Sequence, residues 1–111
     1  MIRWAKEPLL GVPVIPECLV VEWTQDGKRV VFSFAQMGKG ITMHFAAQTQ
    51  SLRVLKQAVN DFVEWLFWAY DWCEMVFGVI GRRSIEKLMI KCGFTRLGEQ
   101  HGYQIYVRGK V

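Results

Sequence analysis

The sequence predicts an α+β fold in which two main helices pack on a mixed, mostly antiparallel sheet. Three observations predict it: three β-branched or aromatic runs come first, two stretches of helical periodicity follow with a short apolar run between them, and two strand-like runs end the chain. A helix between two strands fits a parallel crossover, whereas the hairpins on either side are antiparallel. The sheet is therefore expected to be mixed.

The opening segment, residues 1–16, holds all three prolines of the chain and has neither helical nor strand periodicity. Proline lacks a backbone N–H and fixes its own φ, so we expect an extended arm here. Its apolar residues, among them Leu9, Leu10 and Val12, indicate that the arm lies on the rest of the protein. The 111 residues are enough for one hydrophobic core, and residues 17–111 are expected to form a single body.

Three strands are predicted next. The runs ECLVVEWTQ and KRVVFSFAQ flank Asp26-Gly27, a dipeptide typical of two-residue hairpins. Gly38 and Gly40 break the chain again before ITMHFAA, in which apolar residues alternate with Thr42 and His44.

The period then changes to that of a helix, for which Ser51 or Thr49 is the predicted N-cap. At 100° per residue its apolar positions fall on one face, but Phe67 and Trp68 project from the polar side. Their position leaves two alternatives open, an aromatic contact for a partner or burial under a neighbouring loop.

The run EMVFGVI is expected to be a central strand covered on both faces. In GRRSIEKLMIKCGFTRLGE, residues 81–99, apolar side chains recur with helical spacing and Gly93 is the predicted helix end. TRLGE and YQIYVRG then form the last two strands.

The charge pattern does not favour nucleic acid, although the net charge is +4 and the pI about 9.2. The fourteen basic residues are scattered, whereas electrostatic binding needs them on one face. Three cysteines without a CxxC pair indicate a reduced, cytoplasmic setting and no metal site. No apolar run approaches the ~20 residues of a membrane span. The high aromatic content, 14%, allows for a protein partner or a homodimer.

The order of elements, with a helix ending in KCGFTRLGE, resembles the GNAT superfamily of N-acyltransferases over positions 18–108. The resemblance rests on Gly93-Phe94 and on the order of elements. It implies a GNAT-like fold and an enzyme that uses acetyl-CoA or another acyl-CoA.

The phosphate-binding loop of that family, Arg/Gln-x-x-Gly-x-Gly/Ala, corresponds here to positions 46–53, which contain no glycine. Gln48 and Arg53 remain as possible donors to a phosphate. Arg82, Arg83 and Ser84 open the following helix and form a second candidate site for an anion.

Three further positions depart from the family when the chain is aligned on Gly93-Phe94. The family's helix-start asparagine falls at Arg82 and its small alanine at Ile85. The tyrosine that often protonates the leaving thiolate falls at Met89, which cannot donate a proton. The two acceptor helices of the family are also missing, so the fold is expected to be truncated.

These departures predict a non-catalytic GNAT-like interaction protein. The chain also resembles, in size and aromatic content, the short GNAT-like proteins of tailed bacteriophages assigned to virion head assembly, which implies phage structural proteins as partners. The alternative is an active N-acyltransferase, which requires an open wedge between the strands ITMHFAA and EMVFGVI. A nucleic-acid binder ranks third.

Two residues are weak catalytic candidates. His44 has a side chain suited to general base work, but no partner for it is identifiable in the sequence, so a structural histidine is the alternative. Cys92 lies on the apolar stripe of its helix, where a buried cysteine acts as a small hydrophobe.

Overall fold

The computed structural model describes residues 1–7, 9–12, 17–81 and 83–110, with the side chains at positions 49, 50, 52 and 83 left aside. Within these residues the chain forms seven strands, one 3-10 helix and two α-helices. In chain order they are β1 (Ile2–Trp4), β2 (Leu19–Gln25), β3 (Lys28–Met37), β4 (Gly40–Ala47), the 3-10 helix Thr49–Val54, α1 (Leu55–Ala69), β5 (Met75–Ile80), α2 (Arg83–Lys91), β6 (Thr95–Gln100) and β7 (Tyr103–Gly109).

All strands belong to one sheet, in the order β1-β2-β3-β4-β5-β7-β6. Only β4 and β5 are parallel, because α1 connects them as a crossover, and the other pairs are antiparallel. The predicted α+β class with a mixed, mostly antiparallel sheet is confirmed.

The first strand was not expected from the sequence. Ile2–Trp4 pairs with β2, from Ile2 opposite Trp23 to Trp4 opposite Val21. Three residues are too few to show a period, so an edge strand of this length leaves no pattern. The prolines of the arm, at positions 8, 13 and 16, lie outside the described residues.

The local turn signals in the sequence are confirmed. Asp26 and Gly27 have φ of 51° and 78°, the two positive values that a type I′ hairpin requires. Gly93 has φ of 83°, and the N–H of Phe94 donates to the carbonyl of Met89 at 3.0 Å, closing α2 as expected.

The predicted N-cap of the first helix is wrong. The chain first forms the 3-10 helix, and α1 begins after Val54, which makes no side-chain capping bond. The hydroxyl of buried Ser51 instead accepts the backbone N–H of Arg29 on β3, at 3.0 Å. The donor lies on a strand that is distant in the sequence, so this hydrogen bond anchors the 3-10 helix to the sheet.

Both α-helices pack on the same face of the sheet, the helix face, which carries Phe32, Met43, Val76 and Gly78. The ring of Phe62 on α1 stacks on Phe32, with 4.1 Å between centroids. On α2, the methyl group of Met89 occupies the space beside Gly78. The hydrophobic core lies between the two helices and this face of the sheet.

The opposite face, the arm face, carries Glu22, Ser33, His44 and Val79. Alternation along β5 shows the difference between the faces: Val76, Gly78 and Ile80 are buried on the helix face, while the alternate residues are only half-buried. The prediction that this strand is covered on both faces therefore holds only in part. No helix in the described part of the chain is long and apolar enough to cross a membrane.

Candidate functional site

The two parallel strands separate at their carboxyl ends. Residues 40–43 of β4 pair with residues 75–78 of β5, but the pairing stops there, although β4 continues to Ala47 and β5 to Ile80. The space between the diverging ends, the β4–β5 opening, has a volume of about 460 Å³. Its walls are formed by Leu10, residues 44–47 and 79–81, Leu55 and Ile85.

This opening meets the condition that the sequence set for an acyltransferase, namely an open wedge between ITMHFAA and EMVFGVI. It also lies where α/β folds commonly bind ligands, outside the carboxyl ends of parallel strands. Leu55 begins α1, and Ile85 lies in the first turn of α2. The start of α2, where backbone N–H groups and the positive dipole end favour an anion, therefore borders the opening, and so does the first residue of α1, which continues the 3-10 helix.

The turn from β4 to α1 takes the place of a glycine-rich loop. It carries Gln48 and Arg53, both with exposed side chains, between Ala47 and Leu55 of the opening wall. The N–H of Ser51 donates to the carbonyl of Gln48 at 2.8 Å, and the Ser51 hydroxyl is bound to β3. A 3-10 helix tied to the sheet thus gives this turn a fixed shape without glycine.

At the second helix start, the structure describes only part of the predicted anion site. Arg82 lies outside the described residues, and Arg83 is the first residue of α2. Ser84 is exposed, and Ile85 is half-buried in the wall of the opening. The isoleucine narrows the opening but does not fill it.

Met89, at the position of the family's tyrosine, is fully buried against Gly78 and is not among the lining residues. The tyrosine that packs near α2 is Tyr106 on β7, opposite Gly78, and sequence reasoning did not single it out. Burial first of all, and then the charge of its hydrogen-bond partner Glu86, raise the pKa of the Tyr106 hydroxyl. This hydroxyl is engaged inside the core and keeps its proton.

His44 is half-buried in the wall of the opening, on the arm face of β4. Burial lowers the pKa of its imidazole, so the ring is neutral at pH 7. Among the described residues, no protein group forms a hydrogen bond with this ring. A neutral imidazole that faces a cavity is chemically able to accept a proton.

Cys92 lies away from the opening, in the contact between the two helices. It is 2% exposed, and its Sγ–H donates to the carbonyl of Lys56 at 3.7 Å. Burial raises the pKa of the thiol, although Arg108 and Lys56 act in the other direction. The placement matches a core cysteine, since a nucleophile needs an open pocket and a lowered pKa.

The two predicted interface residues have different surroundings. Phe67 is half-buried and packs against the core, whereas Trp68 is 79% exposed. Trp65, one turn earlier on the same helix, is held in an aromatic cluster with Phe34 and Tyr70. Trp68 is therefore the member of the pair that a partner can reach.

A buried carboxylate holds the arm, and sequence reasoning did not find it. Glu22 accepts the backbone N–H of Lys6 at 2.8 Å, the Nε of Arg3 at 3.0 Å and the Nη2 of Arg29 at 3.1 Å. The Arg29 guanidinium also donates to the carbonyl of Lys6. This Glu22 clamp captures both backbone groups of Lys6. The only signal in the sequence is a charge inside an apolar strand, and it does not name the partners.

Within the described residues, no three His, Cys, Asp or Glu side chains are placed to hold a metal ion.

Comparison with known proteins supports the fold. No family model matches the sequence, and no curated protein does. A crystal structure of a Bacillus subtilis acetyltransferase in complex with CoA superposes with a TM-score of 0.68 over 86% of this chain and 78% of that chain, at 15% sequence identity. The chain has a compact GNAT-like acyltransferase fold.

Proposed function

We propose that this chain binds an acyl-CoA in the β4–β5 opening and transfers the acyl group to an amine. The observation that carries the proposal is the opening itself, which separates two strands that pair closely four residues earlier. A space of about 460 Å³ between two strand ends is large enough to hold part of a ligand of this size. The structural neighbour is a CoA complex, which fits this choice of ligand.

The residues of the opening suit the parts of such a ligand. Beyond Met43 the edge of β4 has no β5 partner, so its backbone groups can bond to the amides of a pantetheine chain. Arg53 is exposed on the adjoining turn and can bind a phosphate, as can Ser84 and the backbone N–H groups at the start of α2. The bound acyl-CoA supplies an activated thioester.

His44 is the proposed general base. Its neutral imidazole takes the proton from the amine nitrogen while the new N–C bond forms and the C–S bond breaks. Met89 cannot return a proton to the thiolate, so water in the opening supplies that proton. His44 then releases its proton to water, so the proton given up by the amine equals the proton taken up by the thiolate.

The proposal is tested by calorimetry with acetyl-CoA. We expect binding in the micromolar to millimolar range that is usual for enzymes and their substrates. Arg53→Ala should weaken it about tenfold, because a hydrogen bond to a charged group is lost. Arg96→Ala on β6, whose side chain bonds to Gln104, is the matched control. Absence of binding by the wild-type protein would reject the proposal.

A second candidate is the non-catalytic interaction protein predicted from the sequence, including a role in virion head assembly. The exposure of Trp68 favours it, since exposed tryptophan is a frequent interface anchor. Under this candidate the chain binds no acetyl-CoA, and sedimentation shows self-association that Trp68→Ser abolishes. Leu97→Ser, at an exposed leucine on β6, should leave association unchanged. A protein that stays monomeric at all concentrations argues against the homodimer form of this candidate.

A further inference from the structure

The arm makes a strained turn where it meets the β4–β5 opening. In residues 9–12 the N–H of Val12 donates to the carbonyl of Leu9 at 3.3 Å, and the two central residues, Leu10 and Gly11, have φ of 56° and 85°. Two positive φ values define a type I′ turn, whose first central position normally holds Asn, Asp or Gly. A leucine there is sterically disfavoured, so something other than turn preference accounts for it.

The turn is fixed on both sides. Before it, the Glu22 clamp holds the backbone of Lys6 on the arm face. After it, Val12 is buried. Because the chain is anchored at both ends of this short segment, the structure determines where the Leu10 side chain lies.

Leu10 forms part of the wall of the opening, together with His44 from β4 and Val79 from β5. It is the single arm residue among the described lining residues. The helices lie on the other face of the sheet, with their starts beside the opening. A ligand whose phosphates bind at the start of α2 and whose chain passes between the strands brings its far end toward Leu10.

We propose that Leu10 sets the length of the acyl chain that the opening accepts. The inference rests on the proposed function, namely that an acyl-CoA occupies the β4–β5 opening. A branched side chain in the wall of the opening limits the room for longer chains, because the turn that carries it lies between the Glu22 clamp at Lys6 and buried Val12. The strained φ of Leu10 is then explained by the place that the side chain must reach.

The experiment measures dissociation constants by calorimetry for acetyl-, butyryl-, hexanoyl- and octanoyl-CoA. For the wild-type protein we expect affinity to stop rising after the short chains. Leu10→Gly should extend the rise, by about fourfold for each further methylene group that becomes buried. Leu10→Phe should act in the opposite direction and restrict binding to the shortest chain. Glycine adopts positive φ without strain, so the Leu10→Gly variant should fold at least as well as the wild type.

Opposite shifts in the two variants separate a specificity effect from general damage, which would weaken all ligands alike. Leu97→Gly, on the distant strand β6, is the matched control and should keep the wild-type chain-length dependence. If the wild type binds the CoA series and all variants show one chain-length dependence, this inference is overturned and the proposed function stands. If the wild type binds no CoA compound, both are overturned.

Discussion

His44 is the residue on which a catalytic role depends most directly. Burial lowers the pKa of its imidazole below the ordinary histidine value of about 6.5, so the base form persists into mildly acidic solution. The same shift means that protonation is disfavoured in the folded state. Folding stability that is complete above pH 6.5 is expected to fall as the pH drops below that value, because the unfolded chain then binds more protons.

We therefore predict that the acidic limb of the rate profile has its midpoint below pH 6.5. His44→Gln should lower kcat by about 10² to 10⁴-fold, the usual contribution of a general base, and should remove that limb. Steady-state rates of acetyl transfer to a panel of amines between pH 5 and 8 provide the measurement. His101→Gln, at an exposed turn histidine, should leave the profile intact. An unchanged profile in His44→Gln would show that His44 is structural.

At the scale of elements, the Glu22 clamp fixes the arm to β2 and β3. Burial alone would raise the pKa of the Glu22 carboxyl, but the Lys6 N–H, Arg29 and Arg3 together lower it below its ordinary value. A depressed carboxyl pKa stabilises the fold above the pKa of the unfolded state. That stabilisation is lost as the pH falls through the lower pKa of the folded state.

Glu22→Gln should therefore loosen the arm at neutral pH. We expect the free energy of unfolding to fall by about 1–3 kcal/mol, because buried donors lose a charged acceptor. The amide of Lys6 should exchange its hydrogen faster, as followed by NMR or mass spectrometry. Glu99→Gln on β6, at an exposed position, is the control. Unchanged protection of Lys6 in Glu22→Gln would show that β1 pairing alone holds the arm.

The elements that the sequence predicted correctly depend on local chemistry. Asp26-Gly27 determines its hairpin and Gly93 determines the end of α2, because the ability to adopt a positive φ depends on the residue type. The 3-10 helix was missed because the partner of Ser51, the backbone of Arg29, lies 22 residues away. Short edge strand β1 was missed because its pairing is supplied by β2.

The candidate site, like the fold, was predictable where local sequence patterns determine it. Alternation in β4 placed His44 opposite the apolar face, and that face assignment needed no tertiary information. The contribution of Leu10 was not predictable, because it follows from a clamp between Lys6 and Glu22 that no local pattern encodes. The helical period placed both Phe67 and Trp68 outside the apolar face. Trp68 is exposed as that position implies, whereas Phe67 packs against the core.

The molecule as a whole consists of two strand groups joined along one seam. Strands β1 to β4 lie on one side and β5, β7 and β6 on the other. Across the seam, β4 and β5 pair over four residues, and the N–H of Glu74 just before β5 donates to the carbonyl of Lys39 just before β4 at 2.8 Å. Parallel pairs are slightly less stable per residue than antiparallel ones. The opening exists because the seam is short, so the same feature that makes room for a ligand limits the stability of the sheet.

Two glycines test this relation. A Cβ on Gly40, at the first pair of the seam, would lie 2.8 Å from the Phe77 ring, 2.9 Å from Met75 Cγ and 3.0 Å from the Met75 carbonyl oxygen. The backbone of Met75 cannot move away from this Cβ unless β4 and β5 separate. A Cβ on Gly78, at the last pair, would come too close only to the terminal methyl group of Met89, which can rotate away. The two substitutions add the same atom at opposite ends of the same seam.

We predict that Gly40→Ala lowers the free energy of unfolding by about 1–3 kcal/mol, as overpacking does, and Gly78→Ala by distinctly less. The midpoint of thermal unfolding should fall by roughly 4–8 °C for each kcal/mol in a domain of about this size. Hydrogen exchange should locate the loss at residues 40–43 in Gly40→Ala, with the β2–β3 hairpin still protected. Equal effects of the two variants would mean that helix packing, and not the seam, holds the two strand groups together. The opening would then be free to widen on ligand entry at little cost to the sheet.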